Sequence, residues 1–355
     1  MWIDQTTDLS FTSPHHQING MRYAVIDIGS NSVKMLVAER IEPTLPGDPI
    51  SWKTVDTIGV QTRLAQGLYQ TGRMSEERIG VTLNVIRSFC EQANHLNAQK
   101  PFAFATSAVR EAANQEEFAE LLHRELGLEL KVIDGTTEAE WVHSGVNQHP
   151  FINKNSGAWM ILDVGGGSSE CIWGHSNRTA PDFSKSYPIG TVRLLEALKL
   201  DQDPPWPEIK KAQRYVGDFI RSNIEADLKP FLKKDHPGYG GAQPAPTLIL
   251  TSGAAHILTS MEGLRIAGNQ KNETPNEGVF PTTFTEEGLF RWLTRLWKSP
   301  LEERRLIPGM IPDRADVMLM GILLFHEMLS SLRFQKAWVS STGLRHGALN
   351  YAFGN

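Results

Sequence analysis

Two short stretches of this 355-residue chain carry the residue types that phosphate chemistry needs. The first is Asp27-Ile28-Gly29-Ser30-Asn31-Ser32, and the second is Asp163-Val164-Gly165-Gly166-Gly167-Ser168-Ser169-Glu170. A phosphate asks for several donors converging on its oxygens. Consecutive backbone amides supply them where no side chain blocks close approach, which is the condition Gly29, Gly165, Gly166 and Gly167 satisfy. Asn31 and the hydroxyls of Ser30, Ser32, Ser168 and Ser169 lie in the same loops and add donors. Asp27 and Asp163, with Glu170 assisting, are hard oxygen ligands suited to a hydrated magnesium ion. One such loop alone is as readily a tight turn between a strand and a helix, because glycine motifs recur by chance. Two loops of one form, with their aspartates 136 positions apart, point instead to a duplicated plan.

A third segment, Val132 to Val146 (VIDGTTEAEWVHSGV), has a strand-like start, Gly135, two threonines and an acidic helix-like stretch. A glutamate there can accept a proton from an attacking water, as phosphoryl transfer asks of its base. By spacing alone Glu138 and Glu140 are equivalent. Both also read plainly as solvated carboxylates at a helix start. Competing phosphate and metal motifs are missing: no Gly precedes a Lys as in a Walker A loop, and Glu170 takes the last place of a G-x-G-x-x-G pattern. No H-E-x-x-H or Cys-x-x-Cys occurs either, so zinc has no basis.

The elements that must hold these residues read as α/β. Tyr23 to Ile28 and Trp159 to Val164 are apolar, β-branched runs ending at the glycine loops. Further strand-like runs occur at Phe102 to Ala105 and Leu130 to Ile133, with helical periodicity over Ser75 to Asn97 and Asn114 to Leu126. Thr247 to Ala255 and Ala337 to Gly343 repeat the strand-then-small-loop unit, the place where α/β folds put ligands. Pro/Gly-rich stretches at 201–207 and 236–246, and the polar stretch 268–278, read as surface insertions. The length suits about two domains. A net charge of -5 excludes a general nucleic-acid binder. With no membrane-length apolar run, no secretory start and two distant cysteines, the reading is a cytoplasmic protein.

These motifs together resemble the exopolyphosphatase and guanosine pentaphosphate phosphohydrolase family of the actin-like ATPase superfamily. DIGSNS at Asp27 to Ser32 looks like its first phosphate motif and DVGGGSSE at Asp163 to Glu170 its second. ATSAVREA at Ala105 to Ala112, RLAQGL at Arg63 to Leu68, YPIGTVRL at Tyr187 to Leu194, TSGAA at Thr251 to Ala255 and GLRHG at Gly343 to Gly347 follow in family order.

The resemblance implies two actin-like (ribonuclease H-like) domains flanking a cleft: 21–134 and 135–342, with an extension at 1–20 and a last helix at about 343–355 returning to the first domain. It implies hinged closure as well, and it matches the short form of the family, which lacks a further helical domain. It selects Glu138, which precedes Ala139 as the family's catalytic glutamate precedes an alanine, although Thr137 replaces the preceding family glutamate. Asp163, Gly165 and Glu170 match residues that hold phosphate or metal, and Arg110 matches an arginine near the bound phosphate. Magnesium, with manganese as alternative, is the implied cofactor. Inorganic polyphosphate is the implied substrate and guanosine pentaphosphate the runner-up. No nucleic acid or membrane partner is expected, and a homodimer is left open. The contrasting class is a non-catalytic nucleotide-binding regulator or chaperone-like ATPase on the same scaffold, because fold does not fix function.

Overall fold

The computed structural model describes residues 20–43, 50–147, 157–176, 178, 180–200, 203–241, 244–269 and 283–354. The extension at 1–19 lies outside these residues, as do most of the 268–278 stretch and parts of the other two insertions.

Two sheets organise the molecule. The first is built from β1 (Arg22–Ile28), β2 (Ser32–Ile41), β3 (Ser51–Gln61), β4 (Phe102–Ala105) and β5 (Leu130–Val132), in the order β3-β2-β1-β4-β5. The second contains β6 (Ala158–Val164), β7 (Ser169–His175), β8 (Phe183–Tyr187), β9 (Thr247–Thr251), β10 (Thr283–Thr285) and β11 (Lys336–Val339), in the order β10-β11-β9-β6-β7-β8. In each, a central strand pairs antiparallel with the next strand in sequence and parallel with a later one. The order β3-β2-β1-β4-β5 is thus repeated as β8-β7-β6-β9-β11, with β10 added at the edge. This is the duplication that the two aspartate loops announced.

The helices are α1 (Leu68–Thr71), α2 (Glu76–His95), α3 (Ser107–Glu111), α4 (Gln115–Leu126), α5 (Gly135–Asn147), α6 (Thr191–Leu198), α7 (Glu208–Phe219), α8 (Ala226–Asp235), α9 (Gly253–Asn269), α10 (Glu286–Lys298), α11 (Leu301–Arg305), α12 (Ala315–Ser331) and α13 (Leu344–Phe353). A π-helical turn, Ile220–Glu225, joins α7 to α8.

Both central strands are buried on two faces, which is why they read as unbroken apolar runs. Ala24, Ile26 and Ile28 face the core beneath α2 and α4, while Val25 faces a second core with Trp141 and Leu349. Met160, Leu162 and Val164 likewise face the large core of the second sheet, and Trp159 and Ile161 face α5. The α12 sequence ADVMLMGILLFHEMLSS is apolar nearly all round and is buried along most of its length, as such a helix must be.

The structure settles the alternative weighed for a lone loop and changes one expectation. The glycine loops join antiparallel strands, so each is a hairpin turn and not the entry to a helix: Gly29 N donates to Ser32 O at 3.1 Å, and Gly165 N to Ser168 O at 2.9 Å. The 236–246 stretch is also no loose insertion at its start. His236 is buried edge-on against Phe334 and Tyr239, and a 3-10 turn, Pro237–Tyr239, follows it.

Candidate active site

A cavity of about 580 Å³ lies between the two sheets, at the ends of β1 and β6. Gly29, Ser30, Asn31 and Ser32 line one side and Gly165, Gly166, Gly167 and Ser168 the other, with Asp27, Glu138, Asp163 and Glu170 in the same wall. The hairpins touch: a methyl group at Gly166 would crowd Ser30 Cβ, and one at Gly167 would overlap the hydroxyls of Tyr69 and Ser107.

The loop carbonyls are spoken for from outside. Asn31 O accepts from the amides of Thr62 and Arg63, and Ser30 O from Ala65. Gly166 O accepts from Val192 and Arg193, and Gly165 O from Thr191. Among the described residues, the amides of Ser30, Asn31, Gly166, Gly167 and Ser168 donate no backbone hydrogen bond. Carbonyls tied outward and amides left without partners are what an anion-binding nest requires.

Arg193 braces the second loop. Its Nε donates to Gly167 O at 2.7 Å, its guanidinium pairs with both oxygens of Glu111 at 2.6 Å, and it lies 3.9 Å from the centre of the Tyr69 ring. Other contacts cross between the halves: Arg63 Nη1 to Asp316 at 2.6 Å, Gly67 N to Glu196 Oε1 at 2.8 Å, and Arg314 Nη2 to Ser32 Oγ at 2.9 Å.

Glu138 and Glu140 are separated by helix phase. Asp134 Oδ1 accepts from Thr137 N at 2.7 Å and starts α5, so Glu138 turns inward at 5% exposure while Glu140 faces solvent. Arg110 Nη1 donates to Glu138 Oε2 at 3.0 Å and to Ile133 O at 2.8 Å. Arg110 therefore stands behind the glutamate and is not part of the cavity wall. Burial raises the Glu138 carboxyl to about 7; Arg110 opposes the rise, and Asp163 and Asp27 add to it. Asp163 also rises to about 7, mainly by burial. Asp27 and Glu170 are raised by burial too, Glu170 further by Glu138 and Asp163.

Ser169 departs from its expected place. Alternation along β7 aims Glu170 at the cavity and so turns Ser169 away. Its Oγ donates to Ile189 O at 2.5 Å, and it is fully buried.

The strand pairing that sets the carboxylates also sets a contrast of charge. Asp163 is opposite Glu170 in the second sheet, whereas Asp27 is opposite Lys34 in the first. Lys34 Nζ lies 4.0 Å from Asp27. Arg345, Arg314, His256 and His346 line the same cavity. Burial, reinforced by Arg345, depresses both histidines to about 4. Arg314, His256 and His346 were not among the sequence candidates. The only sequence signal for Arg314 is its place just before an apolar helix, which many surface arginines share.

The Ppx/GppA phosphatase family model matches residues 47–352. The chain belongs to the Ppx/GppA phosphatase family. Two curated relatives span most of it. Exopolyphosphatase 1 of Mycobacterium tuberculosis is 25% identical over 331 residues, covering 93% of this chain and 87% of that protein. The guanosine-5'-triphosphate,3'-diphosphate pyrophosphatase of Pseudoalteromonas translucida is 26% identical over 330 residues, covering 92% of this chain and 58% of that protein. The crystal structure of an exopolyphosphatase from Cytophaga hutchinsonii superposes with a TM-score of 0.76 at 24% identity, over 93% of this chain and 96% of that one. The two-sheet architecture is therefore the actin-like fold of Ppx/GppA proteins.

Whether a divalent cation fits here is a question of charge. Four buried carboxylates with raised proton affinity line one cavity, and a cation among them offsets both their burial and their repulsion. Among the described residues no three His, Cys, Asp or Glu side chains form a ready-made cage. A hydrated divalent cation held through one or two carboxylates plus substrate phosphates needs no such cage.

Proposed function

We propose that this Ppx/GppA protein is an exopolyphosphatase, hydrolysing the terminal phosphoanhydride bond of inorganic polyphosphate to release orthophosphate. The observation that carries the reading is the buried Glu138 carboxylate in the wall of a cavity bounded by two glycine hairpins with unpartnered amides. In this reading Gly29, Ser30, Asn31 and Ser32 and the amides of Gly165 to Ser168 cradle the terminal phosphates. Arg110 aims Glu138, and Glu138 takes the proton of the attacking water. Asp27, Asp163 and Glu170 would hold magnesium, which supplies charge neutralisation at the phosphates. Most of the rate enhancement then comes from positioning and electrostatics.

The second reading, a guanosine pentaphosphate 5'-phosphohydrolase, draws on the Pseudoalteromonas relative's printed activity and offers the same terminal anhydride. The same proposal divides the chain near residue 134. Domain one is then 21–134 with the helix at 343–355, and domain two is 135–342; the separate cores of the two sheets support this. We place the activity in the cytoplasm: Cys90 and Cys171 are unpaired thiols, and no helix among the described residues is long and apolar enough to cross a membrane.

The test is initial phosphate release from polyphosphate, guanosine pentaphosphate and ATP, side by side with magnesium. Polyphosphate is expected to lead. A far larger specificity constant for guanosine pentaphosphate promotes the second reading, and no release from any of them leaves the regulator class standing.

A further inference from the structure

The row of acids in the cavity continues past Glu170. Antiparallel register sets Asp163 of β6 opposite Glu170 of β7, and Glu170 in turn opposite Ser186 of the edge strand β8. Residues directly opposite in such pairs share a face of the sheet. Asp163 and Glu170 belong to the cavity wall, whereas Ser186 stands one strand further out and is half-buried. Its hydroxyl donates to Glu170 Oε1 at 2.7 Å.

Three supports fix that hydroxyl. Lys185 and Tyr187 flank it and, by strand alternation, point to the opposite face, where they bond Asp227 Oδ2 of α8 at 2.6 and 2.8 Å. On its own face Ser186 meets the first residue of α5: a Cβ on Gly135 would lie 2.5 Å from Ser186 Cβ. The third support is the ladder to β7, which runs from Ser169 opposite Tyr187 to Trp173 opposite Phe183. Ser186 thus touches both the Glu170 carboxylate and the start of the helix that carries Glu138 one turn later.

A glutamate side chain turns about several bonds, and holding it in one position has an entropic cost. Glu170 is 1% exposed, and the like charges of Glu138 and Asp163 act on it. Left alone, the carboxylate would swing away from them. A hydroxyl bound at Oε1 opposes that swing and uses only one of the carboxylate's roughly four acceptor positions.

We propose that Ser186 is a positioning residue for the metal site: it holds the Glu170 carboxylate at the angle from which Glu170 and Asp163 together take a divalent cation. The proposal rests on the metal-assisted hydrolase reading above and adds to it a residue that touches neither cation nor substrate. Through Gly135 the same residue keeps that carboxylate in step with the helix of Glu138.

The experiment follows manganese binding, with manganese as the only ligand added, by the electron paramagnetic resonance signal of the free ion. Ser186→Ala is expected to weaken binding about 10- to 100-fold, the usual effect of losing a hydrogen-bond partner behind a metal ligand. Glu170→Gln should weaken it too. In that background Ser186→Ala should add less than about twofold, because its action passes through Glu170. Ser186→Cys, which keeps a side chain in place beside Gly135 but donates weakly, should fall between wild type and Ser186→Ala. Where thermal melts show that Ser186→Ala does not fold, Ser186→Cys carries the same comparison. Unchanged affinity overturns the proposal and leaves the bond a purely structural one. An equal further loss in the Glu170→Gln background overturns it as well, and so does a wild type that holds no manganese. If wild-type protein releases no phosphate from polyphosphate while Ser186→Ala loses manganese only where Glu170 is present, the hydrolase reading fails and the positioning role stands.

Discussion

At Glu138 the same burial that makes a carboxylate costly makes it useful. A carboxyl raised to about 7 is a far stronger base than one at its ordinary value, yet it is still ionised in half or more of the molecules near neutral pH. Turnover should therefore fall as pH drops through about 7, and a cation among the neighbouring carboxylates moves that limb lower. A kcat profile flat from about pH 5 to 8 would remove Glu138 from the reaction. Glu138→Gln should cut turnover about 10²- to 10⁴-fold with binding intact, whereas Glu140→Gln, on the solvent side of α5, should stay within about twofold. Asp163→Asn should raise the magnesium concentration giving half-maximal rate; an unchanged metal dependence would take Asp163 out of the metal's surroundings.

The choice between the two glutamates shows what was legible. Both stood in the motif segment, and family resemblance selected one, but the physical reason is helix phase set by Asp134 and the packing of α5, which spacing alone does not contain. The aspartate loops were legible because strand, acid and glycine are contiguous. Lys34 read as one of several charges beside the motifs, with Arg63, Arg110, Arg193 and Arg345, that could line the cleft. Its place opposite Asp27 depends on a hairpin register, and β2 and β3 did not stand out from the sequence.

At the scale of elements, the site is held by helices that meet at glycines. A Cβ on Gly347 of α13 would overlap the Trp141 carbonyl of α5, and one on Gly145 of α5 would overlap the Gly343 carbonyl at the start of α13. The helix bearing Glu138 and the helix bearing Arg345 thus cross backbone against backbone. Gly347→Ala should cost about 2 kcal/mol or more in urea unfolding, because rigid carbonyls cannot yield as a side chain does. It should lower kcat as well by shifting α5. Arg193 is the corresponding brace for the second hairpin. Arg193→Gln should raise KM about tenfold with kcat less affected, and Arg193→Lys should not restore it, since a lysine cannot form the two-pronged pair with Glu111 while bonding Gly167 O. Equal KM for all three proteins would reduce Arg193 to a surface ion pair.

For the whole molecule, the exopolyphosphatase reading places attack at chain ends. Partial digestion of long polyphosphate should give chains shortened by single units, with affinity falling as salt rises; internal fragments on a gel would contradict the assignment. The same carboxylates link stability to pH. Glu138 and Asp163 rise from 4.5 and 3.8 to about 7 on folding, so the stability they contribute is present at acid pH and is lost as pH climbs through about 7. With metal chelated, Tm should decline between about pH 5 and 8, and added magnesium should raise it more at the upper end. A Tm that instead rises over that range would mean the carboxylates are paired otherwise.

The crossing of α5 and α13 carries one more implication, for biosynthesis. Residues 22–132 contain every strand of the first sheet and can pair while translation continues. Arg345, the backbone against which Glu138's helix is set, and the closure of a loop of roughly 200 residues all wait for 344–353. A nascent chain halted before that point carries both glycine hairpins without the alignment of Glu138, so, on the proposed assignment of Glu138 as base, activity should arrive with α13 in a single step and not grow with chain length.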